Sequence, residues 1–227
     1  DEARPGDGSF VEVGQLWHRT RRVFGEAGLE IEALNFVPVS GETLELMRVI
    51  VRNTGSAPIR ITPTAVVPVF GRALANKHDH EHVTALLHRT KQVEQGVLVE
   101  PAMLFNEEGH RPCTSVYYVF GCDADGKDPR GSFPTVDSFF GEEGLAERPS
   151  AVRDNQEPRI FSAVELDGRE AVGALRFKDE ILAPQGAKEY IIATGIAGDR
   201  DEALKEFGRF NSSERLARAF EENRAFW

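Results

Sequence analysis

The sequence predicts an all-β protein: two large antiparallel sheets packed face to face, followed by a helical segment. Three observations carry this expectation. Alternating apolar and polar runs recur from Ser9 to Ile196. Gly, Pro, Asn and Asp turn chemistry separates the runs. Beyond Asp199 the apolar spacing lengthens to that of an amphipathic helix.

Residues 9–13 alternate and predict a strand, and residues 29–37 repeat the pattern, with apolar residues at odd positions in the first half. Residues 43–52 run into Asn53, Thr54, Gly55 and Ser56. After that turn, Ile59, Ile61, Ala65, Val67 and Val69 alternate against Arg60, Thr62 and Thr64, so turn chemistry and period together predict a hairpin. Pro63 and Pro68 remove ladder donors, which puts the second arm at a sheet edge or beside a bulge. Residues 83–93 and 96–105 predict two strands around Glu94, Gln95 and Gly96, and residues 114–121 predict another. Residues 121–158 read mostly as connection, with a short helical turn over 135–140; a connection this long is usually functional or partner-binding. Strands resume at 159–166, turn at Asp167 and Gly168, continue through 171–182 and return over 188–196. Asp199 with Glu202 makes a capping-box-like start to a helix ending near Gly208, and Asn211 with Glu214 starts a second. Leu216, Ala219, Phe220, Phe226 and Trp227 fall on one stripe of that second helix. Such a stripe either folds back on the sheets or opens a following domain, and the second is favoured.

Composition narrows the class. The 227 residues are 41% hydrophobic and 28% charged, which is globular usage and enough chain to bury a core without staples. A formal net charge of −10 repels phosphate backbones and anionic lipid, so neither nucleic acid nor a membrane surface is expected as a partner. No apolar run approaches the roughly 20 residues of a spanning helix. The polar start at Asp1 carries no apolar signal segment and reads as a linker. Cys113 and Cys122 are the only cysteines, too few for a disulfide framework or a four-ligand zinc site. A reducing cytoplasm is the expected home, with both thiols acting as small buried hydrophobes.

Chemistry, if the chain holds any, concentrates in the histidine-crowded run at residues 72–89. On an extended backbone His78, His80 and His82 project to one face, and Asp79 and Glu81 to the other. Two readings follow. Three imidazoles on one face can converge on a metal ion, or the run is a polar loop that contacts a ligand or another domain. A cupin-type metal site would add a carboxylate a few residues on and a late histidine, a pattern Glu94 and His110 fit poorly. There is no Gly-rich phosphate loop, no Gly-x-Ser-x-Gly elbow and no His-Glu-x-x-His. The acid pairs Glu107–Glu108 and Glu142–Glu143 read as solvated loop residues.

At Ala75-Asn76, Asp79-His80, His82-Val-Thr-Ala-Leu-Leu-His-Arg89 and Gly96-Val-Leu-Val-Glu-Pro101 the chain resembles the inverting glycoside phosphorylases related to cellobiose phosphorylase. These form glycoside hydrolase family 94, once called glycosyltransferase family 36. Tyr117-Tyr-Val-Phe-Gly121, Gly131-Ser-Phe-Pro-Thr-Val136, Phe140-Gly-Glu-Glu-Gly144, Pro149-Ser-Ala-Val152, Leu182-Ala-Pro-Gln-Gly186 and the closing helix continue the likeness in order. Ile61-Thr-Pro-Thr64, with Asp79-His80 and His82-Val83, looks closest to members acting on β-1,2-linked glucans, the 1,2-β-oligoglucan phosphorylases.

The resemblance implies a galactose-mutarotase-like super-β-sandwich over residues 1–197. Residues 198–227 would be a helical linker toward an (α/α)₆ catalytic barrel that this sequence does not include. It implies a non-catalytic role: support of the barrel, a share of a homodimer interface, and a rim to the site for a β-linked gluco-oligosaccharide. Arg72, Asn76, His78, Asp79, His80 and His82 are the expected rim residues, because flat polar side chains with donors and acceptors suit hydroxyls. A network that merely fixes the loop against its own domain is the alternative. No catalytic residue, metal or cofactor is expected in the chain; inorganic phosphate would be the co-substrate of a longer cytoplasmic parent. Two further classes stay open. A carbohydrate-binding module would need exposed aromatics, for which Trp17, Tyr117 and Tyr118 are the candidates. A mutarotase-like enzyme would need His80 paired with a carboxylate in a sugar-sized pocket.

Overall fold

The computed structural model describes residues 8–69, 85–104, 111–141 and 147–227. Fifteen strands and five helices are formed among them. The strands are β1 (Gly8–Gly14), β2 (Trp17–Phe24), β3 (Leu29–Phe36), β4 (Leu44–Asn53), β5 (Ile59–Ile61), β6 (Thr64–Pro68), β7 (His88–Val93), β8 (Gly96–Pro101), β9 (Met103–Leu104), β10 (Arg111–Pro112), β11 (Val116–Asp123), β12 (Gly131–Thr135), β13 (Ala171–Arg176), β14 (Glu180–Leu182) and β15 (Ala187–Ala197). The helices are α1 (Val136–Phe140), α2 (Ser150–Arg153), α3 (Ala163–Leu166), α4 (Arg200–Phe207) and α5 (Ser213–Phe226).

Eight strands make one sheet in the order β1-β2-β3-β4-β15-β11-β8-β7, every neighbour antiparallel. Strand alternation gives this sheet two apolar faces. Even-numbered residues of β3 and β4, such as Leu34, Phe36, Leu44 and Leu46, join Tyr118, Phe120 and Ile191 under the C-terminal helices. Odd-numbered ones, such as Ile31, Val49 and Val51, face the other way with Val97, Val99, Val119 and Ile192. There they meet a smaller sheet, ordered β12-β13-β6, and the ribbon β14-β5. The layers approach closely at Gly173 of β13, where a Cβ would stand 2.3 Å from Val119 Cβ, so only glycine fits. The second layer is therefore smaller among the described residues than the pair of large sheets expected.

Two expectations need correction. The hairpin expected across Asn53–Ser56 does not form: β4 pairs with β3 and β15, while β5 pairs with β14 and β6 with β13. Asn53 explains the corner. Its amide donates to the carbonyls of Ala57 (2.8 Å), Leu182 (3.0 Å) and Ala183 (3.1 Å), and its Oδ1 accepts from Gly55 N (2.9 Å), so the turn crosses between layers. Pro68 lies in edge strand β6, as its missing donor requires. The strand expected over 159–166 is instead an irregular run followed by α3, whose start is a capping box between Ser162 and Glu165. Strands β2 and β12 and helix α2 were not anticipated.

The closing helices fold back on the large sheet. Asp199 caps α4, accepting from Glu202 N at 2.8 Å, and Ser212, one residue beyond the expected Asn211, caps α5. Leu216, Ala219 and Phe220 are buried, with Phe220 edge-on to Trp17 at 5.5 Å and tilted on Phe36 at 5.3 Å. Asn223, fully buried, donates to Val37 O at 2.7 Å. Phe226 and Trp227 are on the expected stripe but stay 66% and 58% exposed.

Candidate functional site

Arg72, Asn76, His78, Asp79, His80 and His82 lie outside the described residues, as do Glu107, Glu108, His110, Glu142 and Glu143. The chain is described again from Ala85 and joins edge strand β7 at His88, which is buried. The outer flank of β7 is therefore the described ground nearest in sequence to the histidine run.

Along that flank alternation separates the side chains. His88, Thr90 and Gln92 turn inward, and Arg89 and Lys91 outward. Gln92 pins the second layer: its amide donates to Ser132 O (3.0 Å) and Arg159 O (3.1 Å), and its Oε1 accepts from Phe161 N (2.9 Å). Lys91 pairs with Glu100 at 2.8 Å and Arg89 with Asp167 at 3.6 Å. Two cavities open here. One, of about 320 Å³, is lined by Arg89, Glu100, Cys113, Thr114, Ser115 and the start of α4 at Asp199 and Arg200. The other, of about 720 Å³, is lined by Gln92, Gln95, Asp128, Arg130, Arg159 and again Arg200. Their walls offer donors and acceptors, several already engaged: Gln95 donates to Asp128 (3.1 Å) and Arg130 pairs with Glu157 (2.9 Å). Arg159 and the Ser162 amide and hydroxyl hold the Glu165 carboxyl down at about 2. The polar side chains that line both cavities suit hydroxyl recognition or a polar domain contact. Sequence reasoning missed Gln92, Gln95, Asp128 and Arg200, because tertiary packing alone brings them together.

The perturbed groups serve packing. Burial pushes the Cys122 thiol up to about 12, reinforced by Asp123 and Asp128, as befits the inert core residue expected. Tyr118 is fully buried and its hydroxyl donates to Glu206 at 3.0 Å; burial, then Glu206, raise it far above the ordinary phenol range. Glu206 is itself raised, first by burial and then by Glu202 and Glu42, against the Tyr118 hydrogen bond and Arg209. For Glu42 burial pulls upward, but hydrogen bonds from Ser40 Oγ, its own backbone and Arg209 win, and the carboxyl is lowered. This network ties α4 and the loop after it to the sheet. Of the aromatics considered for a sugar platform, Tyr118 is core and Tyr117 and Trp17 pack against it, so the described surface offers no such platform from them. Among the described residues no cluster of histidine, cysteine or acidic side chains could hold a metal ion.

Fold and surface define an antiparallel β-sandwich domain whose two closing helices, α4 and α5, cover the outer face of the large sheet. Residues 19–213 match the family model for the glycosyl hydrolase 94 supersandwich domain, and the chain belongs to that family. A solved polysaccharide lyase structure aligns at 11% identity and a TM-score of 0.47, over 81% of this chain and 22% of the lyase. The chain thus spans about a fifth of that neighbour's length. No curated protein matches the sequence.

Proposed function

We propose that the chain is the non-catalytic amino-terminal domain of a cytoplasmic glycoside phosphorylase that cleaves β-linked gluco-oligosaccharides reversibly with inorganic phosphate. The family match over residues 19–213 carries this reading. Residues 1–197 form the sandwich, and residues 198–227 lead toward an (α/α)₆ barrel. In such an enzyme phosphate attacks the anomeric carbon while an acid protonates the departing oxygen. Both groups must be held in register with the sugar, and this reading assigns them to the barrel. The domain supports that barrel, shares a homodimer interface and walls the sugar site. Arg72, Asn76, His78, Asp79, His80 and His82 form the rim, and the polar groove along β7 continues it.

The test follows glucose 1-phosphate release from β-linked gluco-oligosaccharides. The isolated 227-residue chain is expected to be silent. In a full-length parent, Asp79→Ala or His80→Ala is expected to raise KM for oligosaccharide at least about tenfold, a loss of about 1.4 kcal/mol, and to leave phosphate KM within about twofold. Turnover by the isolated chain that survives repurification and is lost on replacing one of its own carboxylates would place the catalytic centre here and overturn the reading.

A further inference from the structure

The larger of the two cavities has one wall that the fold holds rigidly. Gln92 of β7 clamps the chain on both sides of Ile160: its amide donates to Arg159 O at 3.1 Å, and its Oε1 accepts from Phe161 N at 2.9 Å. Arg159 is fixed as well, its guanidinium 3.7 Å from the Phe161 ring centroid and paired with Glu165 at 2.9 Å. Just before them Pro158 lies directly against β12, because Gly131 leaves room where a Cβ would stand 2.6 Å from Pro158 Cβ. An exposed isoleucine is ordinary on a protein surface. Ile160 differs in being 83% exposed while both of its neighbours are locked, so an apolar side chain is kept at the rim of the cavity.

The rest of the lining is polar and largely fixed. Gln95 donates to Asp128 at 3.1 Å, Arg130 pairs with Glu157 at 2.9 Å, and Arg200 enters from the start of α4. The cavity therefore joins an aliphatic ledge to guanidinium, amide and carboxylate groups. A sugar chain has the same division, with C–H faces and a rim of hydroxyls that both donate and accept. Charge separates such a ligand from an anion. Arg130 and Arg159 already face carboxylates, and Asp128 and Glu94 line the same cavity, so a phosphate would meet nearly as many acids as cations in a chain of net charge −10. A neutral polyol uses both signs. The volume of about 720 Å³ falls within the roughly 300–1,000 Å³ of small-ligand sites.

We infer that this cavity is an oligosaccharide-binding site that the domain completes by itself. It holds an uncharged β-linked glucan segment with one pyranose face on Ile160 and Pro158 and the hydroxyls on Gln95, Asp128, Arg130 and Arg200. Gln92 and the ion pairs set these walls before the sugar arrives, so little further ordering is lost on binding. The inference deepens the proposed function and rests on its carbohydrate class, not on the phosphorolysis.

The test titrates the isotopically labelled 227-residue chain with cellotriose, laminaritriose and sophorotriose and follows backbone amide shifts by nuclear magnetic resonance. At least one triose is expected to move the amides of Gln95, Arg130, Ser132 and Ile160 together and to saturate. Ile160→Ala and Arg200→Ala should each weaken that affinity at least about fivefold while leaving the urea midpoint unmoved, whereas Arg89→Ala, in the smaller cavity, should change it less than about twofold. No shift with any triose at about 20 mM, where a millimolar site is nearly filled, overturns the inference. So do shifts centred away from this cavity, or inorganic phosphate moving the same amides at lower concentration than the trioses. Glucose 1-phosphate release by a full-length parent is read separately: a silent parent refutes the phosphorylase reading whether or not the cavity binds sugar, and a cavity that binds no triose leaves that activity standing.

Discussion

Arg176 is 2% exposed in β13, and its guanidinium holds the connection between α2 and α3 against the second sheet. Nη1 donates to the carbonyls of Asn155 (3.3 Å) and Gln156, and Nη2 to Asn155 Oδ1 at 3.0 Å. Nη2 also reaches Asp179 at 3.4 Å and Glu157 at 3.5 Å. Arg176→Ala strands the three oxygens of Asn155 and Gln156. Hydrogen bonds from a charged donor contribute about 1.5–3 kcal/mol each when buried, less where water can return. The two carboxylates, 22% and 55% exposed, regain water and add little. The expected loss is roughly 3–5 kcal/mol, the worth of about two hydrogen bonds from a charged donor, since water returns to the exposed Asn155. At about 2–4 °C per kcal/mol for a chain of this size, Tm should fall by roughly 6–20 °C. Urea unfolding followed by circular dichroism measures it, and limited proteolysis should show cleavage appearing near residues 154–158. Arg176→Lys should recover only part of the loss, since an ammonium cannot reproduce the planar fork. An alanine variant within about 1 kcal/mol of the parent, or a lysine variant equal to it, would refute the argument.

Three other outcomes follow from the same packing. Phe220→Ala should cost about 3–5 kcal/mol in urea unfolding, because it empties the contact with Trp17 and Phe36, whereas Phe226→Ala at its exposed position should stay within about 0.5 kcal/mol. Glu206 has a raised carboxyl in the fold, so its favourable contribution is complete below the ordinary value of 4.5 and disappears as pH climbs through the folded value. Glu206→Gln should therefore raise Tm at pH 7 and flatten the decline between about pH 4.5 and neutrality; a less stable variant at pH 7 would count against this. Titration with a thiol reagent at pH 8 should label half-exposed Cys113 in the native chain and buried Cys122 only after denaturation.

The sequence by itself determined the class of structure, because local period is enough for that. Alternation from Ser9 to Ile196 made strands, and the change of period at Asp199 made helices capped within a residue of where the polar side chains indicated. The irregular loop motifs likewise carried the family. What the chain could not express locally is which strand sits beside which. Residues 53–56 have hairpin chemistry, yet the carbonyls of Leu182 and Ala183, about 130 residues away, turn Asn53 into a corner between layers. Trp17–Phe24 went unseen as a strand because Arg19, Arg21 and Arg22 interrupt any apolar period, and its Trp17 is half-buried only through Phe220 of α5. The stripe on α5 was legible, but periodicity cannot say what a stripe touches; the sheet's even face was unfilled until Leu216 and Phe220 covered it, while Phe226 and Trp227 ran past its edge. The groove along β7 was invisible for the same reason. Its walls are far apart in the chain, and only long-range packing brings Arg89 and Arg200 to one cavity and Gln95, Asp128 and Arg200 to the other.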